Sequence, residues 1–302
     1  MTSLEVSISG LKLRNPTMLA SGIMGETGPS LRKMAEHGPG ALVTKSIGKE
    51  PREGYPNPTL VELPTGYLNC MGLPNPGIME FADEMPSALS AGLPIIGSIF
   101  GANAEEFRDL AIAMEDYGAS AVELNLSCPH AKGYGMELGT DPSGVKGIVS
   151  SVKSSVDIPV MAKLTPNTER LVLVGEAVQE AGGDGVVAVN TVKAMCINVE
   201  MRRPVLSNVT GGLSGPAIRP IGVRCVYELY AALDIPIVGV GGVENWKDAL
   251  EYMMAGASAV QVGSSLGRKG LDVFREIIAG IELYLNNSEF NSIVEMVGVA
   301  HE

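Results

Sequence analysis

Residues 122–142, VELNLSCPHAKGYGMELGTDP, join a strand-like run to a loop, and strand-like runs of this kind recur along the chain and define its fold. Residues 121–126 carry aliphatic side chains at strand spacing, and the Ser-Cys-Pro sequence at 127–129 ends the run. No helical pattern begins before Asp141, so the connection is about a dozen residues long, which exceeds the usual length. Cys128 therefore stands at the carboxyl end of a predicted strand, at the start of a loop whose length is often functional.

Strand-like runs and helical segments alternate on both sides of this stretch. Apolar residues recur at three- and four-residue spacing in segments 105–117, 169–181 and 246–255, which is typical of helices with one buried face. The strand-like runs are almost continuously aliphatic, as in buried parallel sheets. These runs are residues 17–20, 41–46, 94–100, 121–127, 160–164, 185–190, 236–240 and 259–263. Eight such units predict an α/β fold, a (β/α)₈ TIM barrel, although a doubly wound open sheet would alternate in the same way.

Three segments fall outside this alternation. Residues 5–14 have the pattern of a short hairpin around Gly10, which we expect to cover one end of the barrel. Insertions at 49–76 and 197–215 follow the second and sixth strands, and the second insertion contains a strand-like run at 204–209. Both insertions emerge from carboxyl strand ends, which is the face on which barrels build their sites.

Length, charge and cysteine spacing limit the function classes. A chain of 302 residues is the size of a single α/β barrel, so we expect one domain over residues 1–302. A dispersed net charge of −12 argues against nucleic acid and anionic membranes as partners. With no long apolar run and no leader pattern, we expect a cytoplasmic protein. The cysteines are Cys70, Cys128, Cys196 and Cys225. They form no C-x-x-C pair, so the usual zinc and iron–sulfur spacings are missing and we expect no metal site. We expect no disulfides, because the cytoplasm keeps thiols reduced.

Polar residues or glycines stand at the carboxyl end of every predicted strand. One such residue is ordinary in a turn, but the carboxyl ends of all strands meet on one face of a barrel, so together they predict a large polar ligand. The last two strands end where barrels commonly bind phosphate through backbone N–H groups, which favours a phosphorylated cofactor. These strand ends are Ser21-Gly22, Lys45-Ser46, Ser98, Asn125 with Ser127, Lys163 with Thr165, Asn190-Thr191, Gly241-Gly242 and Gly263-Ser264.

Two lysines and three amides within this set point to an anionic, planar ligand. Lys45 and Lys163 end apolar strands, where a cation without a partner would be costly. A ligand anion is the favoured partner, because a fixed ammonium stabilises the charge that a flavin acquires on reduction and another binds a substrate carboxylate. The alternative is that both lysines pair with core carboxylates. Asn69, Asn125 and Asn190 lie on three different connections and can both donate and accept hydrogen bonds.

Cys128 is the candidate base. A cysteine beside a strand end is more often a small buried hydrophobe, but this one stands at a loop mouth near other polar strand ends. A thiol with an ordinary pKa of roughly 8.5 needs only modest help to act as a general base. His130 either supplies that help, contacts the substrate or lies on the surface, and the surface or structural role is favoured. The other three cysteines lack this setting, so we expect them to be structural.

Taken together, these motifs resemble the catalytic subunit of class 1 dihydroorotate dehydrogenases, and most closely the B type, which works with a separate electron-transfer subunit. The resemblance covers nearly the whole chain, from NPTMLASG to AVQVGSS, with several independent motifs in the same order. They are ASG at 20–22, TKS at 44–46, residues 66–77 with NCMGLPNPG, NLSCP at 125–129, AKLTPN at 162–167, VNT at 189–191 and RRPVLSNVTGGLSGPAI at 202–218.

The resemblance implies FMN on the barrel top and oxidation of dihydroorotate to orotate in de novo pyrimidine (UMP) biosynthesis. Cys128 matches the base that removes the C5 proton while a hydride leaves C6 for the flavin N5. The flavin contacts match Ser21, Gly22, Lys45, Ser46, Ser98, Asn125, Lys163, Val189, Gly215, Gly241, Gly242, Gly263 and Ser264. The substrate contacts match Lys45, Asn69, Cys70, Met71, Gly72, Leu73, Asn125, Asn190 and Thr191. The B type further implies a homodimer core in a heterotetramer, with FAD and an iron–sulfur cluster on the partner subunit.

Two residues depart from the family pattern. Serine stands at Ser98 and histidine at His130, where the family usually has asparagine beside the flavin and the pyrimidine. NLSCPH before a glycine-rich loop also resembles the pyrimidine-reducing domain of dihydropyrimidine dehydrogenases, but residues 202–218 favour the dihydroorotate enzyme. An alternative from a different functional class is a barrel that binds a phosphorylated ligand without redox chemistry. This alternative does not explain a cysteine at the loop mouth opposite two lysines.

Overall fold

A closed barrel of parallel strands forms the centre of the protein. The computed structural model describes residues 3–126 and 138–301, so Ser127, Cys128 and His130 lie outside the described residues. The barrel strands follow chain order around the ring, β3-β4-β7-β8-β9-β10-β15-β16, and β16 pairs with β3 to close it. In chain order the strands are β1 (Val6–Ile8), β2 (Leu11–Leu13), β3 (Thr17–Leu19), β4 (Ala41–Val43), β5 (Leu60–Leu63), β6 (Gly66–Asn69), β7 (Ile95–Ile99), β8 (Ala121–Asn125), β9 (Val160–Leu164), β10 (Gly185–Ala188), β11 (Val192–Ala194), β12 (Ile197–Asn198), β13 (Arg203–Pro204), β14 (Gly211–Ser214), β15 (Ile237–Val240) and β16 (Ala259–Val262).

The predicted (β/α)₈ barrel is confirmed. Each of the eight predicted strands is present, beginning within one residue of its predicted start and ending at most three residues early. The aliphatic runs form these strands because both faces of a parallel sheet are covered, one by the barrel interior and the other by helices. Strands β7, β8 and β9 are buried along their whole length.

Helices surround the barrel and lie between its strands. Side-chain caps begin several of them: Asn103, Asp141 and Asn245 each accept a hydrogen bond from a backbone N–H in the first turn. The three predicted helices are present with ends shifted by at most two residues, which is the usual uncertainty of helix ends. In chain order the helices are α1 (Gly28–Ala35), α2 (Ile78–Phe81), α3 (Met85–Leu89), α4 (Ala104–Asp116), α5 (Pro142–Lys153), α6 (Leu171–Glu180), α7 (Arg219–Tyr230), α8 (Trp246–Met254), α9 (Ser265–Lys269) and α10 (Val273–Asn286), with 3₁₀ turns at Ala82–Glu84, Leu138–Thr140, Pro216–Ile218, Ile293–Met296 and Val299–His301. Within the described ranges, no helix has the length and apolarity needed to span a membrane.

The predicted amino-terminal hairpin is also confirmed. Strands β1 and β2 pair antiparallel, with Val6 opposite Leu13. The Ser9 hydroxyl, in the turn, donates a hydrogen bond of 2.6 Å to the carbonyl of Asp184, immediately before β10 begins. The hairpin therefore lies at the amino end of the barrel strands and leaves the carboxyl end to the two insertions.

Strands of the two insertions combine with β11, which precedes the second insertion, into one antiparallel sheet above the carboxyl strand ends, in the order β11-β14-β6-β5. The strand predicted at 204–209 is wrong, because only Arg203 and Pro204 of this region pair, in the short β13. Val209 has a φ of 66°, in the left-handed region that ends an extended run. The strand that joins the sheet is β14, at Gly211–Ser214.

Candidate active site

A cavity of about 570 Å³ opens at the carboxyl ends of the barrel strands. Residues at or just beyond the ends of barrel strands form its inner wall, and residues of β5, β6 and β14 form its outer wall. The volume falls within the range of small-molecule and cofactor sites. The sheet made by the insertions therefore bounds a site on the face where barrels carry their chemistry.

Most of the residues predicted from the sequence line this cavity. Of the predicted residues that the structure describes, three do not: Ser98 is buried beneath it, Cys70 packs with Leu68 and Leu206 in a separate small cluster, and Gly215 lies against Gly66 and Gly242. Their predicted contacts, like the roles of the lining residues, stay predictions. The predicted residues that line the cavity are Ser21, Gly22, Lys45, Ser46, Asn69, Met71, Gly72, Leu73, Asn125, Lys163, Val189, Asn190, Thr191, Gly241, Gly242, Gly263 and Ser264.

Lys163 lies in the wall of the cavity with a carboxylate close behind it. Its Nζ donates a hydrogen bond of 3.0 Å to Gln261 Oε1 and is 3.4 Å from Glu123 Oε1. The Nε2 of Gln261 donates to Glu123 Oε2 at 2.6 Å. Lys163 therefore pairs with a carboxylate of the protein core. For this lysine, the structure shows the alternative named in the sequence analysis, a core carboxylate as partner rather than a ligand anion.

Glu123 and Gln261 are not among the residues predicted from the sequence. Both point into the barrel from strands whose other residues are largely aliphatic, AVELN and AVQV. The sequence does contain a signal for them, a single charged or amide residue inside an aliphatic strand. Such a residue is expected to have a polar partner in the barrel interior, because a buried polar side chain requires one.

Lys45 has a different environment. Its Nζ is 3.7 Å from Glu26 Oε2, and the side chain of Glu26 is 57% exposed whereas that of Lys45 is 13% exposed. Ion pairs with exposed partners contribute at most about 1 kcal/mol, since water screens them. The positive charge of Lys45 is thus only weakly compensated and faces the cavity.

A chain of hydroxyl groups connects the cavity wall to the interior. Ser46 Oγ is 3.2 Å from Ser21 Oγ and 2.9 Å from Ser98 Oγ, and it accepts a hydrogen bond of 3.0 Å from Asn125 Nδ2. Ser98 Oγ in turn lies 3.5 Å from Glu123 Oε1. Ser98 therefore contacts the cavity wall indirectly, through Ser46 on one side and through Glu123, the partner of Lys163, on the other.

The predicted amides are each anchored within the protein. Asn69 Nδ2 donates to the carbonyl of Gly212 on β14 at 3.2 Å, and Asn190 Oδ1 accepts from the backbone N–H of Thr191 at 2.7 Å. With Asn125 held by Ser46, all three side chains have a fixed orientation at the cavity. Such fixed amides suit recognition of a planar polar ring.

The loop between β6 and α2 is held by a buried asparagine that was not predicted from the sequence. Asn75 accepts hydrogen bonds from the backbone N–H groups of Gly48 and Gly77, at 3.1 and 2.9 Å. Its Nδ2 donates to the carbonyl of Leu73, which has a φ of 60°. Asn75 thus stabilises the strained backbone of a predicted substrate-binding residue.

Bare glycine backbone forms another part of the wall. Gly241 and Gly242 have φ values of 128° and 71°, which disfavour any side chain, and a Cβ on Gly242 would lie 2.6 Å from the carbonyl oxygen of Gly215. A Cβ on Gly22 would meet no atom of the described residues within 4 Å, its chain neighbours apart. Backbone groups therefore face the cavity without obstruction, as phosphate binding requires.

Helix α8 holds the turn that contains these glycines. The Tyr252 hydroxyl donates to the carbonyl of Gly241 at 2.8 Å, and burial raises the pKa of Tyr252, so the hydroxyl stays a donor. Asp248 Oδ2 accepts from the backbone N–H groups of Glu244 and Asn245, at 2.9 and 3.2 Å. Two side chains of one helix thus fix the backbone after β15.

The described residues contain no group of three or more His, Cys, Asp or Glu side chains arranged to hold a metal ion. Cys225, on α7, is buried, and burial raises the pKa of its thiol to about 11. A thiol with that pKa stays protonated at neutral pH. Lysines, amides, hydroxyls and backbone N–H groups are therefore the available ligand-binding groups in the described part of the site.

A closed parallel barrel with lysines, amides and bare glycine backbone around a cavity at its carboxyl face defines a (β/α)₈ barrel of the enzyme type. Comparison with known proteins identifies the enzyme family to which the chain belongs. A family model described as dihydroorotate dehydrogenase matches residues 3–285, so the chain belongs to the dihydroorotate dehydrogenase family and is an oxidoreductase.

Individual relatives agree with this assignment. The chain is 51% identical over 292 residues to the dihydroorotate dehydrogenase B (NAD(+)) catalytic subunit of Methanocella arvoryzae, covering 97% of this chain and 96% of the relative. It is 51% identical over 300 residues to the protein of the same name from Pyrococcus furiosus, covering 99% of each. The corresponding protein of Thermoplasma volcanium is 50% identical over 300 residues. The resemblance to the B type is thereby confirmed.

Proposed function

We propose that this protein oxidises dihydroorotate to orotate in pyrimidine biosynthesis, as the catalytic subunit of a B-type enzyme. The observation that carries the proposal is the convergence of Lys45, Lys163 and three anchored amides on one cavity in a member of this family. A cation and amides match the carboxylate and the ring amides of dihydroorotate. The near full-length similarity to proteins named as B-type catalytic subunits supports the same substrate.

FMN is the proposed cofactor, and the cavity fits it in three respects. Bare backbone at Gly22, Gly241 and Gly242 suits a phosphate and ribityl chain, Lys163 offers a fixed cation, and the volume of about 570 Å³ suits a ring system. When bound, FMN supplies an acceptor for the hydride that leaves C6 of the substrate. The proposed cofactor contacts also include Ser21, Lys45, Ser46, Asn125, Val189, Gly263 and Ser264, all of which line the cavity, together with the more deeply placed Ser98 and Gly215.

The chain's own residues bind the substrate and move its proton. Lys45 binds the substrate carboxylate, and Asn69, Asn125 and Asn190 orient the ring, with Thr191 and residues 71–73 beside them at the cavity. Cys70, the remaining proposed substrate contact, lies next to Met71 but outside the cavity lining. Cys128 removes the C5 proton as general base. It lies outside the described residues, and its assignment rests on its place in the sequence three residues after Asn125, the last residue of β8.

A second subunit is proposed to carry the electrons onward. The relatives are named as catalytic subunits of an NAD(+) enzyme, which supports a partner that connects this chain to NAD. We propose a homodimer core with two electron-transfer subunits that hold FAD and an iron–sulfur cluster. We also propose that the chain forms one domain and works in the cytoplasm.

Two spectroscopic measurements test the function. The purified chain is expected to be yellow, or to become so with added FMN, and anaerobic dihydroorotate is expected to bleach it while dihydrouracil does not. A chain that takes up no FMN would contradict any redox function and favour a non-redox phosphate-binding barrel. Bleaching by dihydrouracil alone would instead assign the protein to dihydropyrimidine chemistry, which the NLSCPH motif also resembles.

A further inference from the structure

Three side chains meet inside the barrel beneath the cavity, and we call them the central triad: Glu123 on β8, Lys163 on β9 and Gln261 on β16. They are 0%, 6% and 1% exposed, respectively. Strands β8 and β16 lie four strands apart on the ring of eight, so the hydrogen bond of 2.6 Å between Gln261 and Glu123 crosses the barrel interior. The triad is therefore a polar layer in the centre of an otherwise aliphatic barrel.

The contacts of the triad satisfy its carboxylate. Oε1 of Glu123 faces Lys163 Nζ at 3.4 Å and Ser98 Oγ at 3.5 Å, and Oε2 accepts from Gln261. The Oε1 of Gln261 accepts from Lys163 at 3.0 Å. A buried carboxylate requires partners of this kind, and an unpaired charge at such a depth is strongly destabilising.

Only two members of the central triad face the cavity. Lys163 and Gln261 line the cavity, whereas Glu123 lies behind them and is fully buried. A ligand in the cavity thus meets an ammonium group whose charge is partly neutralised from behind. Because the interior screens charge less than water does, a carboxylate at this distance changes the potential at the cavity wall appreciably.

We propose that Glu123 is a positioning residue, which fixes Lys163 at the cavity wall and sets how strongly that lysine favours the reduced form of a bound flavin. The inference rests on the proposed function, because it requires FMN in this cavity. A reduced flavin carries more negative charge than an oxidised one, so an uncompensated Lys163 binds the reduced form more tightly. Glu123 moderates this preference and keeps the reduction potential low enough for electrons to be passed on.

The proposal is tested by exchanging the Glu123 carboxylate and the Gln261 amide, first singly and then together. Glu123→Gln keeps the shape of the side chain and removes the negative charge that faces Lys163. The ratio of reduced to oxidised FMN affinity is expected to rise at least about tenfold, equivalent to an increase of about 30 mV in the two-electron potential. Gln261→Glu adds a second carboxylate beside Lys163 and is expected to shift the ratio the opposite way. The double variant Glu123→Gln/Gln261→Glu moves the carboxylate across the same hydrogen bond and is expected to restore most of the original ratio.

Equilibrium titration of bound FMN against a redox dye measures the potential, and thermal unfolding of the apo-protein gives a second readout. Glu123→Gln is expected to unfold at a lower temperature than the double variant, since it leaves the Lys163 ammonium without the buried counter-charge of Glu123. If Glu123→Gln does not fold, the opposite shift in Gln261→Glu and its reversal in the double variant decide the question. Lower stability with an unchanged potential in every FMN-binding variant would overturn the proposal and leave Glu123 a structural role. Wild-type protein that binds no FMN would instead contradict the proposed function.

Discussion

At the scale of single residues, the two cavity lysines have separate electrostatic surroundings and therefore separate proposed roles. Lys163 is held by Glu123 and Gln261, so its position is fixed before any ligand arrives. Lys45 forms its one ion pair among residues 3–126 and 138–301 with the exposed Glu26, at 3.7 Å, so its charge is available to an incoming anion. This contrast supports Lys163 as a cofactor contact and Lys45 as the cation for the substrate carboxylate.

Cys128 carries the first prediction at this scale. Cys128→Ala is expected to slow the reduction of bound FMN by dihydroorotate by at least about 100-fold, because a positioned general base contributes that much or more. The affinity for FMN is expected to stay unchanged, since the variant removes the base and leaves the glycine and lysine contacts in place. Anaerobic stopped-flow absorbance measures the rate, and titration of the apo-protein measures the affinity.

Cys196→Ala is the matched control for this variant. Cys196 is a partly buried thiol that packs against the small cluster of Leu68, Cys70 and Leu206, outside the cavity lining. Its loss is expected to leave the reduction rate unchanged. A Cys128→Ala protein that keeps the wild-type rate would show that the base is another group.

At the scale of elements, α8 is a support for the site as well as a cover for the barrel. Tyr252 holds the carbonyl of Gly241 and Asp248 holds the next turn of backbone, while Arg219 at the start of α7 pairs with Asp248. The carbonyl of one residue and the N–H of the next point in opposite directions across a trans peptide. A Gly241 carbonyl held by Tyr252 therefore directs the N–H of Gly242 away from α8.

Tyr252→Phe tests this support. Loss of the hydroxyl is expected to weaken FMN binding about fivefold, the effect of one hydrogen bond of about 1 kcal/mol. Binding of riboflavin, which lacks the phosphate, is expected to change little, because the Gly241–Gly242 turn is proposed to contact the phosphate. Fluorescence titration of the apo-protein with both ligands gives the two affinities. Equal losses for both ligands would mean that the hydroxyl supports the fold in general.

Tyr227→Phe serves as the control for Tyr252→Phe. Tyr227 lies on the neighbouring helix α7, where its ring stacks on His301 at 3.7 Å and is partly exposed. It does not line the cavity. Both affinities are expected to match those of the wild type in this variant.

The elements also show why part of the structure was predictable and part was not. Buried parallel strands are continuous aliphatic runs, so local sequence located all eight. The sheet formed by β5, β6, β11 and β14 was not predicted, because its pairing joins residues far apart in the chain, such as Leu68 and Leu213. Local pattern also placed a strand at 204–209, where the left-handed Val209 ends the extended run.

The same limit applies to the site. Polar strand ends such as Lys163 and Asn190 were visible because they interrupt apolar runs at a recognisable position. Glu123 lies within its strand, and its importance depends on Gln261, which is on the opposite side of the barrel. A contact of that kind is set by barrel closure, which strand spacing alone does not specify.

At the scale of the whole molecule, the two ends of the barrel differ: the hairpin lies at the amino end and the cavity opens at the carboxyl end. The β1–β2 hairpin lies against the amino end through the contact of Ser9 with Asp184, while the insertions wall the cavity at the carboxyl end. Substrate and cofactor are therefore proposed to enter from the same face. Electrons leaving a flavin held there must also exit through or around the insertion sheet.

This exit is the basis of the last prediction. The chain contains no glycine-rich dinucleotide fingerprint following a strand, so it lacks the element that commonly binds NAD. Purified alone and loaded with FMN, it is expected to be reduced by dihydroorotate and to pass electrons to an artificial dye, but to form no NADH. Co-expression with the proposed electron-transfer subunit is expected to produce a complex that forms NADH from dihydroorotate. The dye reaction controls for an intact site, so NADH formation by the chain alone would remove the need for a second subunit.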